Sequence, residues 1–257
     1  MEQPTKFIQT IKNITLFLTL FSSLHSFAST KLLLIGGGDY PTETLKLMVK
    51  WAGSKSKKMM ILSWATDDTA YALAHLRDSV SKLGKEAPEE ILAPVYPEHD
   101  DFSKEDFLNG LKEVGAVMIS GGDQTVLMER LKSDPAFLPA IHEAYQRGVV
   151  FAGNSAGTAA ASKTMLTGNG DFEVIGEGQA ETSEGIGFLS HVIFDSHFIA
   201  RKRQNRLMSV LQSSSERIAF GIDEECTLAI ENGRKATVIG PGMALSFSIT
   251  ILHAKQL

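Results

Sequence analysis

Ser155 stands between two glycines in a pattern that suits nucleophilic chemistry. The stretch VVFAGNSAGTAAAS, residues 149–162, sets Gly-Asn-Ser-Ala-Gly between an apolar run and small helix-forming residues. Strand, sharp turn and helix in this order are typical of a nucleophile elbow, which lifts the hydroxyl above a sheet and aims the next backbone N–H at the forming oxyanion. The pattern therefore predicts Ser155 as a nucleophile and the Ala156 N–H as one oxyanion donor.

A serine hydroxyl needs a base to take its proton, and histidine is the first candidate. His75 and His142 lie in helical patterns and His99 in an acidic loop, where solvated or structural roles are expected. His191 begins the strand-like run HVIFDSHF and His197 ends it. Because functional residues in such sheets gather beyond the carboxyl ends of strands, His197 is the predicted base.

The imidazole in turn needs a carboxylate to orient it, and that group should also follow a strand. The run IAFGIDEE offers Asp223, Glu224 and Glu225 at its end. Side chains alternate along a strand, so Glu224 should point opposite to its two neighbours, but parity alone does not choose among the three. A solvated turn is the alternative interpretation of this acidic cluster.

Two further strand ends carry glycines. In ISGGDQT, Gly121, Gly122 and Gln124 follow the fourth apolar run, and a backbone N–H at Gly122 is predicted to complete the oxyanion hole. IGGGDYP follows the first run, but Pro41 stands where a dinucleotide motif needs glycine or alanine, so we interpret this segment as a turn.

The elements around these residues predict an α/β fold with a parallel, doubly wound sheet. Helical segments separate apolar runs that suit strands buried on both faces. A capping pattern at Ser103 opens one predicted helix, and others cover residues 69–84, 135–148 and 201–215. After Ser162, frequent glycines predict loops and antiparallel strands, with Asn232 and Gly233 in a hairpin turn. The predicted buried strands are Lys31–Gly36, Lys58–Ser63, Ile91–Tyr96, Ala116–Ser120 and Val149–Ala152.

Composition limits the classes of protein and partner. The chain of 257 residues is 43% hydrophobic and 21% charged with a net charge of −5, which fits a globular protein and argues against a nucleic-acid partner. Cys226 is the only cysteine, so no intrachain disulfide can form. Lys6 and Lys12 precede an apolar stretch, Ile14–Leu24, that is too short for a membrane anchor, so residues 1–28 are predicted as a secretory signal and residues 29–257 as one domain.

Four motifs in this order resemble one family. GGDQ, GNSAG, DSHF followed by ARKRQNRL, and GIDEE, together spanning about residues 31–240, are similar to the cyanophycinases, in the serine peptidase family that also contains dipeptidase E. The resemblance implies a sandwich like that of class I glutamine amidotransferases, a homodimer, and no cofactor or metal. It also implies Ser155 as nucleophile, His197 as general base and Glu224 as orienting acid, in a secreted or periplasmic serine exopeptidase.

The resemblance further implies cyanophycin as substrate, a poly-aspartate backbone with arginine on each β-carboxyl, cleaved to β-Asp-Arg dipeptides. Guanidinium groups grip carboxylates through two bonds, although a basic exposed helix face would show the same residues. Ser196 stands where Gln is usual and Asn154 where Thr is usual, which leaves the exact specificity open. The alternatives are an isoaspartyl or aspartyl peptidase and a binding protein without catalysis. The predicted substrate-binding residues are Gln124, Asp195, Arg201, Arg203 and Arg206.

Overall fold

A computed structural model of the chain describes residues 28–53 and 56–249. The predicted signal segment, residues 1–28, lies outside the described residues except for Ala28. Within the part that is described, no helix is both long enough and apolar enough to cross a membrane.

The described residues form twelve strands and seven α-helices. The strands are β1 (Lys31–Ile35), β2 (Lys58–Leu62), β3 (Glu90–Leu92), β4 (Ala116–Ile119), β5 (Val150–Asn154), β6 (Thr164–Gly170), β7 (Ala180–Glu184), β8 (Val192–Asp195), β9 (Ile218–Ile222), β10 (Thr227–Glu231), β11 (Lys235–Ile239) and β12 (Ala244–Ser248). The helices are α1 (Thr42–Ala52), α2 (Thr69–Ser81), α3 (Lys104–Glu113), α4 (Gln124–Lys132), α5 (Phe137–Gln146), α6 (Ala156–Ala160) and α7 (Gln204–Ser213).

A seven-stranded sheet with the order β11-β10-β1-β5-β4-β2-β3 forms the centre of the fold. Strands β1 to β5 run parallel, whereas β10 and β11 extend the sheet antiparallel to β1. Alternating side chains of β1 supply two cores, since Leu32 and Leu34 face one layer with Trp64, while Leu33 and Ile35 face the other. This confirms the predicted parallel α/β sandwich with an antiparallel C-terminal extension.

Two small sheets complete the fold at its C-terminal side. Strands β8, β9 and β12 form one sheet, in which β8 and β9 are parallel neighbours, and β6 pairs with β7 in the other. The pairing sets Asp195 beside Gly221. The loops that carry His197 and Glu224 therefore leave adjacent strands in the same direction, as their proposed partnership requires.

Local chemistry explains where the predicted boundaries held and where they moved. The Ser103 hydroxyl accepts a hydrogen bond from the Asp106 N–H at the start of α3, which confirms the predicted cap. Asn232 and Gly233 both take positive φ in the β10–β11 turn, also as predicted. The third predicted strand was too long: β3 ends at Leu92, two residues before Pro94, whose ring nitrogen cannot donate to a ladder.

Candidate active site

Ser155 occupies a strained turn between β5 and α6. Its φ of 51° and ψ of −103° lie outside the helix and strand regions, and its N–H donates to the Ile35 carbonyl at 3.1 Å. A Cβ on Gly153 would lie 2.4 Å from the Gly157 carbonyl oxygen, and one on Gly157 would lie 2.6 Å from that of Ile119. Both glycines are thus needed because the backbone folds back on itself and against β4.

Ser155, His197 and Glu224 form one hydrogen-bonded chain. The Ser155 Oγ lies 2.7 Å from His197 Nε2, and His197 Nδ1 lies 2.6 Å from Glu224 Oε1. A carboxylate can only accept, so the ring proton sits on Nδ1 and Nε2 accepts from the serine hydroxyl. This tautomer is the one that general-base catalysis requires.

The end of β1 ties the three loops together. The consecutive carbonyls of Ile35, Gly36 and Gly37 accept hydrogen bonds from the N–H groups of Ser155, His197 and Glu225, respectively. A Cβ on Gly37 would lie 2.2 Å from His197 Cε1, so the imidazole rests directly on this backbone. The IGGG segment, which we interpreted as a turn, therefore assembles the site, and its signal was three glycines at a strand end.

The acidic cluster divides into separate roles. Asp223 Oδ1 accepts from the N–H groups of Ile199 and Ala200, both at 3.0 Å, and so fixes the backbone that follows His197. Glu224 reaches the imidazole, while Glu225 has a positive φ of 53°. Strand parity did not predict which of the three acidic residues orients the imidazole. The turn after β9 decides it, because only Glu224 is directed toward His197.

The surroundings keep His197 neutral. Its side chain is buried, and this desolvation lowers its pKa, against the hydrogen bond to Glu224, which raises it. The positive charges of Arg201 and Arg203 lower the pKa further. The neutral imidazole, which can accept a proton from Ser155, is therefore the dominant form near neutral pH.

One predicted oxyanion donor follows the nucleophile in the chain, and the other belongs to the glycine turn beside it. Ala156 is the first residue of α6, where a backbone N–H has no partner within the helix. A Cβ on Gly121 would lie 3.4 Å from Ser155 Cβ, so the glycine turn after β4 adjoins the serine. The Gly122 N–H meets no acceptor among residues 28–53 and 56–249, and its φ is 141°. Both N–H groups are available to a ligand.

Two predicted substrate-binding residues are instead buried beneath the site. Asp195 and Arg206 are 0% and 1% exposed, and Arg206 Nε donates to Asp195 Oδ2 at 2.8 Å while its Nη2 bonds Oδ1. Phe172 covers the guanidinium, whose carbon is 5.3 Å from the ring centroid. Side chains without exposed surface cannot touch a ligand, so the structure corrects the prediction of direct substrate contact for this pair.

The remaining three predicted residues lie around the opening. Arg201 is exposed, while Arg203 is mostly buried and donates through Nη1 to the Ser196 carbonyl at 2.8 Å. Gln124 begins α4 and donates to the Leu166 carbonyl at 2.8 Å, which ties α4 to β6. Of the two arginines whose charges act on His197, Arg201 is therefore the exposed one. Helix α4 itself was missed by the sequence reasoning, although Asp123 caps it by accepting from the Thr125 N–H at 2.7 Å.

A Ser-His-Glu chain at the carboxyl edge of a parallel α/β sheet defines the class of a serine hydrolase. The family model "Peptidase family S51" matches residues 32–238, and this chain belongs to that family of serine-type peptidases. Similar curated proteins include the cyanophycinase of Trichormus variabilis, 27% identical over 232 residues, which cover 89% of this chain and 75% of the relative. The cyanophycinase of Synechococcus elongatus is 28% identical over 156 residues, covering 61% of this chain, which spans about half (47%) of that relative's length.

Solved structures share the fold. A peptidase from an acI-B1 Actinobacterium superposes with a TM-score of 0.67 at 22% identity, covering 87% of this chain and 97% of the other. A putative peptidase E from Listeria monocytogenes EGD-e gives a TM-score of 0.58 at 14% identity, covering 83% and 99%. These neighbours have the glutamine-amidotransferase-like architecture predicted from the motifs, and the predicted serine-peptidase class is confirmed by the family match.

Proposed function

We propose that this protein is a serine exopeptidase that hydrolyses cyanophycin to β-Asp-Arg dipeptides. The single observation that carries the proposal is the hydrogen-bonded chain from Ser155 through His197 to Glu224, with both links at 2.7 Å or less. Similarity to proteins named cyanophycinase supports the substrate class.

The residues suggest a two-step acyl transfer. Ser155 Oγ attacks the scissile carbonyl carbon while its proton passes to His197 Nε2, and the N–H groups of Gly122 and Ala156 stabilise the oxyanion. The intermediate collapses as His197 gives the proton to the leaving nitrogen, which leaves an acyl-enzyme. A water molecule, deprotonated by His197, then attacks the ester and releases the product carboxylate and the free Ser155 hydroxyl. Glu224 stabilises the imidazolium in both steps.

Two arginines support an acidic peptide as substrate. The Arg201 N–H bonds the His197 carbonyl and the Arg203 guanidinium bonds the Ser196 carbonyl, so both residues lie next to the proposed base. We expect the exposed Arg201 to bind a substrate carboxylate and Arg203 to contribute from the wall, with Gln124 on the opposite side. The homodimer and the export signal stay predictions.

The proposal is tested with purified cyanophycin and the variant Ser155→Ala. The wild-type protein should release β-Asp-Arg dipeptides, identified by mass, whereas Ser155→Ala should sediment with the polymer and release none. Release by the variant at the wild-type rate would refute the nucleophile.

A related peptidase acting on isoaspartyl or N-terminal aspartyl peptides is the second candidate. Ser196 favours it, because Gln is usual at this position in cyanophycinases. Ser196 is buried with its carbonyl bonded to Arg203, so the position next to His197 offers the polymer no long amide side chain. Short Asp-X and isoAsp-X peptides, compared with the polymer at equal enzyme concentration, separate the two. Faster cleavage of the short peptides with no release from the polymer would replace the first candidate.

A further inference from the structure

We propose that Arg130 is a positioning residue that holds the oxyanion-binding turn against the nucleophile. The inference rests on the proposed function, since it concerns the Gly122 donor of that mechanism. Arg130 lies on α4, has a side chain that is 9% exposed, and lies outside the chain of groups that moves the proton.

The guanidinium of Arg130 forms several hydrogen bonds with the loop that follows β2. Its Nη1 donates to the Trp64 carbonyl at 2.9 Å and to the Thr66 carbonyl at 3.3 Å, which flank Ala65 on both sides. Its Nη2 donates to Asp67 Oδ1 at 2.5 Å. The Trp64 and Thr66 carbonyls belong to the peptide groups on either side of the one that contains the Ala65 carbonyl, so fixing both leaves that carbonyl little freedom to rotate.

The same guanidinium is held in turn from the other side. Its Nε donates to Glu98 Oε2 at 3.1 Å, and its central carbon lies 4.0 Å from the Tyr96 ring centroid. A planar fork with five donors can satisfy carbonyls, carboxylates and an aromatic face together, whereas an ammonium cannot. The arrangement is therefore specific to arginine.

Ala65 connects the loop held by Arg130 to the glycine turn that carries the Gly122 donor. Its carbonyl accepts from the Asp123 N–H at 2.8 Å, and a Cβ on Gly122 would lie 2.1 Å from the same oxygen. Gly122 therefore lies directly against Ala65, and Gly121 in turn adjoins Ser155. Asp123 is also the N-cap of α4, so the helix that carries Arg130 begins directly after the turn that Arg130 positions.

An oxyanion donor acts only when it is held at the right place before the reaction. Misplacing a reacting or stabilising group by about 1 Å can cost about 100-fold in rate. Loosening Ala65 should therefore lower the rate of the chemical step while leaving the binding of the ligand intact.

The test uses the variant Arg130→Lys and a fluorophosphonate probe, whose phosphoryl oxygen occupies the oxyanion position as Ser155 attacks. The rate of labelling at saturating probe should fall about 10-fold or more, with the half-saturating probe concentration within about twofold of the wild-type value. Arg147→Lys is the matched control, because Arg147 also bonds a carboxylate and a carbonyl, those of Glu143 and Leu111, but lies at the C-cap of α5. It should label at the wild-type rate.

A folded Arg130→Lys protein that labels at the wild-type rate would overturn the inference. If that variant does not fold, the double variant Asp67→Asn, Glu98→Gln keeps the arginine and loosens its outer contacts, and an unchanged rate there would also overturn it. Absence of labelling in the wild-type protein would instead overturn the proposed function, and the role of Arg130 with it.

Discussion

Two hydrogen-bonded pairs of side chains, Asp195 with Arg206 and His197 with Glu224, differ in charge and in exposure. Asp195 and Arg206 are fully buried and hold each other. His197 lies only two residues after Asp195 in the chain, and the side chain of its partner Glu224 is 44% exposed. The Asp195–Arg206 ion pair holds the end of β8, while the half-exposed Glu224 and the neutral imidazole stay accessible to a reacting group. The comparison teaches that exposure distinguishes the catalytic pair from the supporting one.

The backbone shows the same contrast. Asp195 is the last residue of a regular strand, whereas Ser155 and His197 both take positive φ, at 51° and 47°. Such strain persists only where the surroundings impose it. Here the carbonyls of Ile35 and Gly36 impose it by accepting the N–H groups of the two residues.

The largest expected effect is on the open pair. Glu224→Gln should lower kcat by about 10³–10⁴-fold, because the amide no longer enforces the tautomer with the proton on Nδ1 or stabilises the imidazolium. Rates on cyanophycin or a short aspartyl peptide give the ratio. The urea midpoint should change little because Glu224 is half-exposed. A large fall in stability together with the loss of activity would contradict the view that Glu224 acts in catalysis rather than in holding the fold.

Substitutions in the buried Asp195–Arg206 pair should lower the stability of the fold. Asp195→Ala leaves the Arg206 charge buried and unpaired, which should lower the free energy of unfolding by ~3–5 kcal/mol. Urea denaturation measures this, and the double variant Asp195→Leu, Arg206→Met, which removes both charges, should regain most of the loss. An unfolding free energy within about 0.5 kcal/mol of wild type for the single variant would contradict the supporting role.

The backbone beneath the open pair is tested by Gly37→Ala. The added methyl would lie 2.2 Å from His197 Cε1, so the ring must shift, and we expect kcat to fall about 10–100-fold. Gly84→Ala is the matched control, since Gly84 also has positive φ, at 59°, but nothing lies within 4 Å of its added Cβ. A Gly37→Ala protein as active as Gly84→Ala would show that the added methyl does not displace the imidazole.

The smallest expected effect is a shift in pH dependence. Because the Arg201 charge lowers the pKa of His197, Arg201→Gln should raise that pKa. The activity, which rises with pH as His197 loses its proton, should then reach its half-maximum at a higher pH. Profiles of kcat/KM measure the shift. Lys202→Gln, a neighbouring exposed cation, is the control, and an equal shift there would assign the effect to net charge.

Local sequence patterns predicted most of the catalytic residues but few of the contacts that hold them in place. The Gly-x-Ser-x-Gly pattern predicted Ser155 and the strand-end position predicted His197, whereas Glu224 was chosen from its two neighbours only by the family resemblance. The burial of Asp195 depends on Arg206 of α7 reaching the end of β8, a contact between separate elements that no local pattern contains. Helix α4 was hidden because glycines precede it, and the role of Gly37 required knowing that three distant loops meet at one strand end.

Mass analysis of the folded protein after reaction with a fluorophosphonate tests the central claim most directly. We predict one phosphonyl group per chain, located on Ser155 by peptide mapping and absent from the unfolded protein and from His197→Ala. An unmodified wild-type protein, or an adduct on a different residue that persists in Ser155→Ala, would contradict the claim that this serine is activated by the imidazole.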